Sequence, residues 1–171
     1  MLHIYYGNGK GKTSAAVGSV MRANGAGIKT AFLQFMKNGF SSEIRVLQML
    51  KNNNVICCKE CDEFTYNMDE QKKQLVKQSH DEMMKQIYRL SETDDLGLVV
   101  LDEMLDAYNE ALIDKKLAED YIMSFKDKVE IIITGREPLD KFVEAADYMT
   151  EMKCQKHPYN KGISARKGIE Y

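Results

Sequence analysis

The stretch "GNGKGKT", Gly7 to Thr13, sets a glycine at every second position and then ends in a lysine and a threonine. Glycines at Gly7, Gly9 and Gly11 let the backbone turn tightly and aim consecutive N–H groups inward, which makes a nest for phosphate oxygens. Lys12 supplies a point charge for the outer phosphates, and the Thr13 hydroxyl suits a place in a magnesium shell. Asn8, Lys10 and Ser14 complete the nucleotide-binding stretch, with Lys10 adding charge at its rim. The first glycine comes one residue later than the pattern G-x-x-x-x-G-K-[ST] asks, because Tyr6 stands five residues before Gly11. A second chemical pair, Asp102 and Glu103, follows the apolar run "LVVL". A carboxylate at that place completes the coordination of a phosphate-bound magnesium ion. By strand alternation, one of two adjacent carboxylates faces the nucleotide while the other braces the loop or reaches the metal through water. The plain alternative is an acidic N-cap opening the next helix. Arg136, closing the "TGR" after another apolar run, is a candidate clamp on the nucleotide.

The four cysteines pose a separate question. Cys58 and Cys61 form a C-x-x-C, and Cys154 and His157 form a C-x-x-H. Together the two pairs have the ligand types of a four-coordinate zinc site; the alternative is a set of reduced thiols near strand ends.

These residues need a scaffold, and the chain alternates strand and helix signals throughout. "LHIYY" (Leu2 to Tyr6), "TAFLQF" (Thr30 to Phe35), "NVICC" (Asn54 to Cys58), "GLVVL" (Gly97 to Leu101) and "VEIIIT" (Val129 to Thr134) read as short buried strands. "YMTEMKC" (Tyr148 to Cys154) is a weaker sixth. Between them the longest helical pattern runs from about Asp69 to Glu92, where Val76, Met83, Ile87 and Leu90 mark one core-facing stripe. Connections of a dozen or more residues between strands predict parallel pairing with helices on both faces. The expected fold is therefore α/β: a P-loop NTPase-like, three-layer α/β/α arrangement around a mainly parallel, RecA-like sheet of about six strands. Ligands on such sheets bind beyond the carboxyl ends of the strands, where the glycine-rich loop, the acidic pair and Arg136 all fall. Residues 1–171 read as a single domain, with 153–171 as a C-terminal extension.

Composition narrows the partners. Lys and Arg number 24 against 26 Asp and Glu, a formal charge of -2, so nucleic acid and anionic membranes are not expected as main partners. The apolar runs are far shorter than the roughly 20 residues that span a bilayer, and the N-terminus lacks a signal-peptide pattern, so the expected location is cytoplasmic.

The cradle and acidic pair do not distinguish kinases, hydrolases and switch proteins. The ordered set "GNGKGKTSAA", "TAFLQFMKNG", "FTY", "LVVLDE", "IIITGR", "AADYMTEMK" and "KHPYNKGISARKGIEY" resembles the P-loop ATP:corrinoid adenosyltransferases along nearly all 171 residues. That resemblance implies ATP and a corrinoid such as cob(I)alamin as substrates, Mg2+ as the metal, a homodimer, and a flavoprotein as electron donor. It implies ATP held in the reverse sense, with the terminal phosphate deep in the cradle and the ribose 5′ carbon facing outward toward reduced cobalt. Thr13, Asp102 and Glu103 fall to the metal and Lys12 to the departing triphosphate. Phe64 and Tyr66 of "EFTY" take the place of aromatic side chains that displace the lower axial base of the corrinoid, Tyr66 standing where the family favours tryptophan. Without the resemblance, Phe64 and Tyr66 read as one buried face of a short strand. Lys37, Glu43, Arg136, Lys156 and His157 also match family motifs but equally suit helix caps and sheet-edge salt bridges, and a histidine before proline is more often structural. Many relatives carry an N-terminal arm that covers the site, whereas here the first strand begins almost at Met1, so closure of the site is expected to differ. The rival readings are a nucleoside or small-molecule kinase and a non-enzymatic ATP-binding switch.

Overall fold

A computed structural model of the chain describes residues 1–63 and 65–169. In chain order the elements are β1 (Leu2–Tyr6), α1 (Lys12–Gly25), β2 (Lys29–Gln34), α2 (Ser42–Met49), β3 (Asn53–Cys57), α3 (Glu70–Thr93) and β4 (Leu96–Asp102). Then follow α4 (Met104–Asn109), α5 (Lys115–Phe125), β5 (Glu130–Thr134), α6 (Asp140–Ala145) and β6 (Tyr148–Glu151). All six strands pair in parallel in the order β3-β2-β4-β5-β1-β6.

The central strands β4 and β5 form where branched residues run almost without interruption and both faces are covered, whereas the edge strand β6 is exposed throughout. Phe32, Leu98, Val100 and Ile132 pack on one face against Ala16 and Val20 of α1 and Ile44 and Leu47 of α2. Residues one step out of phase, such as Leu33, Val99, Leu101 and Ile133, pack on the other face with the buried sides of α3, α4, α5 and α6. This is the expected three-layer arrangement, with Asp69 capping α3 by accepting the Lys72 N–H at 2.8 Å. The sixth strand is shorter than the sequence suggests: pairing ends at Glu151, and the chain then leaves the sheet edge to run across the glycine-rich loop. Among the described residues no helix is long and apolar enough to cross a membrane.

Register decides what meets at the carboxyl edge. β2 and β4 pair Gln34 with Asp102, while β4 and β5 pair Leu101 with Ile133, so Asp102 and Thr134 lie side by side one step further on. β5 separates the strand leading into the glycine-rich loop from the acidic strand, and its last residue, Thr134, lies next to Tyr5 of β1.

Candidate active site

The glycine-rich loop closes between β1 and α1 with Gly11 at φ 116°, a left-handed conformation that disfavours any side chain. As N-cap, Gly11 offers no side-chain acceptor to the first turn of α1, so those amides and the positive helix end are available to an anion. At Gly9 the demand is steric. Its N–H donates to the Met152 carbonyl at 2.7 Å, and a Cβ would stand 2.6 Å from that oxygen. Asn8 Oδ1 accepts the Cys154 N–H at 3.0 Å, so the segment after β6 clamps the outside of the loop. The Lys12 ammonium lies inside, donating to the carbonyls of Gly7 at 2.8 Å and Gly9 at 2.9 Å.

The acidic pair separates through its backbone. Asp102, the last residue of β4, is fully buried, and its Oδ1 accepts from the hydroxyls of Thr13 at 2.9 Å and Thr134 at 2.8 Å. Glu103 takes the left-handed conformation, φ 61°, at the N-cap of α4, a cost of about 1–3 kcal/mol that functional sites commonly carry. The turn sets its carboxylate against the Lys37 ammonium at 2.9 Å. Lys37 Nζ also lies 3.9 Å from Asp102 Oδ2, and Thr134 Oγ1 accepts the Glu103 N–H at 2.8 Å. One hydroxyl on β5 thus holds both acids in place.

Burial pushes the Glu103 carboxyl above its usual range, against the opposing pull of Lys37. Lys37 is itself raised: burial works against its charge, but Glu103 and Asp102 outweigh it. Burial lowers Lys12, partly offset by Asp106, and burial raises Asp106, partly offset by Arg136 and Lys12. Lys12, Asp106 and Arg136 thus share one wall of a cavity with charges of opposite sign.

Two cavities meet at this junction. One of about 840 Å³ runs from Lys12, Asp106 and Arg136 to Tyr66 and Met68. The other, of about 400 Å³, follows the loop from Gly9 to Ser14, including Lys10, and is closed by Gly168 and Ile169. Both are bordered by Lys12, Thr13, Lys37 and Glu103.

Most of the sequence-selected residues come together here: Gly7 to Ser14, Asp102, Glu103 and Arg136. The N-cap alternative for the acidic pair holds only in position, since Glu103 makes no side-chain capping bond. Phe64 lies outside the described residues. Tyr66 sits on a 3₁₀ turn, Thr65–Asn67, and is 81% exposed at the wall of the larger cavity, so it is not part of a buried strand face. The C-x-x-C does not join the C-x-x-H. Among the described residues, the group placed for a metal is Cys58, Cys61 and His80, while His157 caps a 3₁₀ turn by accepting the Tyr159 N–H at 3.1 Å. That assignment is the structural one expected of a histidine before proline.

At this junction Gln34, Thr134 and Asp106 are not singled out by the sequence. Gln34 is fully buried at the end of β2 and accepts the Ser41 hydroxyl at 3.0 Å, holding the loop that carries Lys37. Thr134 was visible only as the first letter of "TGR". Asp106 had a usable signal, since it stands one helical turn beyond the acidic pair.

The family model described as "ATP:corrinoid adenosyltransferase BtuR/CobO/CobP" matches residues 1–171. The chain is 33% identical to the corrinoid adenosyltransferase of Pseudomonas aeruginosa over 173 residues, covering 100% of this chain and 83% of that protein. It is 30% identical over 173 residues to the corrinoid adenosyltransferase of Escherichia coli K12, covering 98% and 84% of the two chains. With the corrinoid adenosyltransferase CobA of Salmonella typhimurium the identity is 28% over 170 residues, covering 98% and 84%. A match of that extent, on a fold whose glycine-rich loop and acidic strand meet through Thr13 and Asp102, means that the chain belongs to the ATP:corrinoid adenosyltransferase family.

Proposed function

We infer that the protein transfers the 5′-deoxyadenosyl group of ATP to the cobalt of a reduced corrinoid, cob(I)alamin or a close relative, and releases triphosphate. The single observation that carries this reading is the family match along the whole chain, and the geometry supports it residue by residue. Lys12 leaves the carbonyls of Gly7 and Gly9 for the triphosphate, and the first amides of α1 add their donors. These groups stabilise charge that grows on the leaving group as the C5′–O bond breaks, which is the largest lever an enzyme has on such a step. Cobalt is the nucleophile, so no side chain needs to remove a proton. Arg136, on the wall of the larger cavity, balances charge with Asp106 beside Lys12.

Thr13, Asp102 and Glu103 would hold Mg2+. Their donor atoms are all hard oxygens, and the two carboxylates already draw one cation, the Lys37 ammonium, which fits such an ion. Bound Mg2+ neutralises phosphate charge as the triphosphate departs. The larger cavity takes the corrinoid, with Tyr66 and Phe64 acting on its lower face. A homodimer and a flavoprotein electron donor, carried by the resemblance, and a cytoplasmic location and a single-domain chain, carried by the short apolar runs and the chain length, complete the proposal.

Two measurements follow. Incubated anaerobically with ATP, Mg2+ and chemically reduced cobalamin, the protein should form adenosylcobalamin with one triphosphate per product. Release of ADP without adenosylcobalamin would contradict this reading and favour the kinase one. The second is a pH profile. Lys37 lowers the pKa of Glu103, so Lys37→Met should let it climb further. If activity needs the Glu103 carboxylate, the acid limb of kcat/KM for ATP, which reports the free enzyme, moves to higher pH in that variant. An acid limb that stays in place would remove Glu103 from the chemistry.

A further inference from the structure

Away from the acidic junction, three soft donors converge in the core. Cys58, just past β3, and His80, on α3, are fully buried, and Cys61 is 5% exposed. Their ligand atoms all lie within 4.8 Å of one another. The two sulfurs are 2.7 Å apart, and Cys61 Sγ is 3.4 Å from His80 Nε2.

The histidine provides an independent pointer. Its Nδ1 lies 2.7 Å from the Leu112 carbonyl, which can only accept, so Nδ1 carries the proton. The lone pair of Nε2 is thereby left facing Cys61, with only a long 3.4 Å approach from the Met36 N–H. A backbone carbonyl on one ring nitrogen and an acceptor lone pair on the other is the arrangement that orients metal-bound histidines. The ring also packs edge-on against Phe35 with centroids 5.1 Å apart, so it is held in one orientation with Nε2 toward the two cysteines. Val76, His80 and Met83 lie on one buried stripe of α3, where His80 is the polar member.

We propose that Cys58, Cys61 and His80 form a binding site for one borderline-soft divalent ion of the zinc class, tying the loop after β3 to α3. Two thiolates and a neutral imidazole balance the charge of a divalent ion. Thiolates on a tetrahedral ion with bonds of about 2.3 Å stand roughly 3.7 Å apart, so loading moves the sulfurs apart by a rotamer adjustment of one cysteine. Three protein ligands leave a fourth position. Cys61 borders the larger cavity, so water or a small ligand can reach it from there. The ion fixes the segment that leads to Thr65 and Tyr66 on the wall of that cavity. Its function is distinct from that of the oxygen-ligated ion proposed at Asp102 and Glu103.

The test is anaerobic titration of the reduced full-length protein with Co2+, read by absorption, followed by Zn2+ competition. One equivalent of Co2+ should produce a thiolate-to-cobalt charge-transfer band and tetrahedral d–d bands, and Zn2+ should abolish both. X-ray absorption of the zinc-loaded protein should give two sulfur neighbours near 2.3 Å and nitrogen near 2.0 Å. Cys61→Ser should weaken binding by more than about 100-fold, beyond the 10–100-fold cost of losing an outer-shell partner. Cys154→Ser with His157→Ala should leave the band unchanged. Because the buried variants can unfold, the wild-type spectrum decides: a shell of oxygen and nitrogen only, no charge-transfer band at one equivalent, or a Cys58–Cys61 disulfide in the protein as purified would each overturn the proposal.

Discussion

Lys12→Ala lowers kcat for adenosylcobalamin formation by about 10²–10³-fold, the usual cost of removing one preorganised donor from a developing negative charge. The ammonium lies between the carbonyls of Gly7 and Gly9, so it is already inside the loop that receives the polyphosphate. Its hydrogen bonds there are partly solvent-exposed, so the variant should unfold at nearly the wild-type denaturant midpoint. That contrast separates a role in chemistry from a role in folding. Lys12→Arg should not restore activity, because a planar guanidinium does not fit where a compact ammonium bridges two carbonyls. Steady-state kinetics beside urea unfolding make the check. Turnover within a few-fold of wild type in Lys12→Ala would contradict the account.

Asp102→Asn is the second large effect, and it should damage both activity and stability. The carboxylate is surrounded by donors: the Thr13 and Thr134 hydroxyls on Oδ1, Gln34 Nε2 at 3.4 Å and the Lys37 ammonium at 3.9 Å on Oδ2. If the asparagine oxygen keeps the two threonines, its NH2 faces the Gln34 amide and the Lys37 charge, donor against donor. If it flips, both hydroxyls lose their acceptor. Either way a fully buried polar group is left unsatisfied, which costs about 1–3 kcal/mol. Activity should fall by at least about 10²-fold, because one charged oxygen ligand and the orientation of Thr13 are lost together. A raised Mg2+ requirement would identify the metal-binding part of the loss. Thr134→Val should share the stability loss and misplace Glu103 while leaving the Asp102 charge intact.

The alternation of strands and helices was legible because the central strands are buried on both faces and read as apolar runs, as "LVVL" and the "III" of "EIIIT" do. The ends of elements were less so: β6 stops at Glu151 because Met152 turns to meet Gly9, a contact between residues 143 positions apart that leaves no local mark. The site divides in the same way. Gly7 to Thr13 announce themselves because backbone geometry and phosphate chemistry restrict residue type at fixed offsets. Thr134 and Gln34 do not, since a threonine or glutamine at a strand end is ordinary and only the parallel register sets both beside Asp102. Tyr66 was legible through family resemblance and misleading through alternation, because a 3₁₀ turn follows no period of two. The C-x-x-C was visible as half of a metal pattern, but its partner His80 was concealed within the apolar stripe of α3, where periodicity directs attention to Val76 and Met83.

The reaction direction across the cradle is tested most directly by the fate of one oxygen. ATP labelled with ¹⁸O at the bridge between C5′ and the α phosphorus is turned over with cob(I)alamin, and the phosphorus products are analysed by mass. Attack of cobalt on C5′ breaks the C5′–O bond, so the label must leave entirely in triphosphate, with none in a nucleotide product. Label retained in ADP would mean that the γ phosphorus is the electrophile, and the assignment of Lys12, Thr13 and Asp102 to a departing triphosphate would fail.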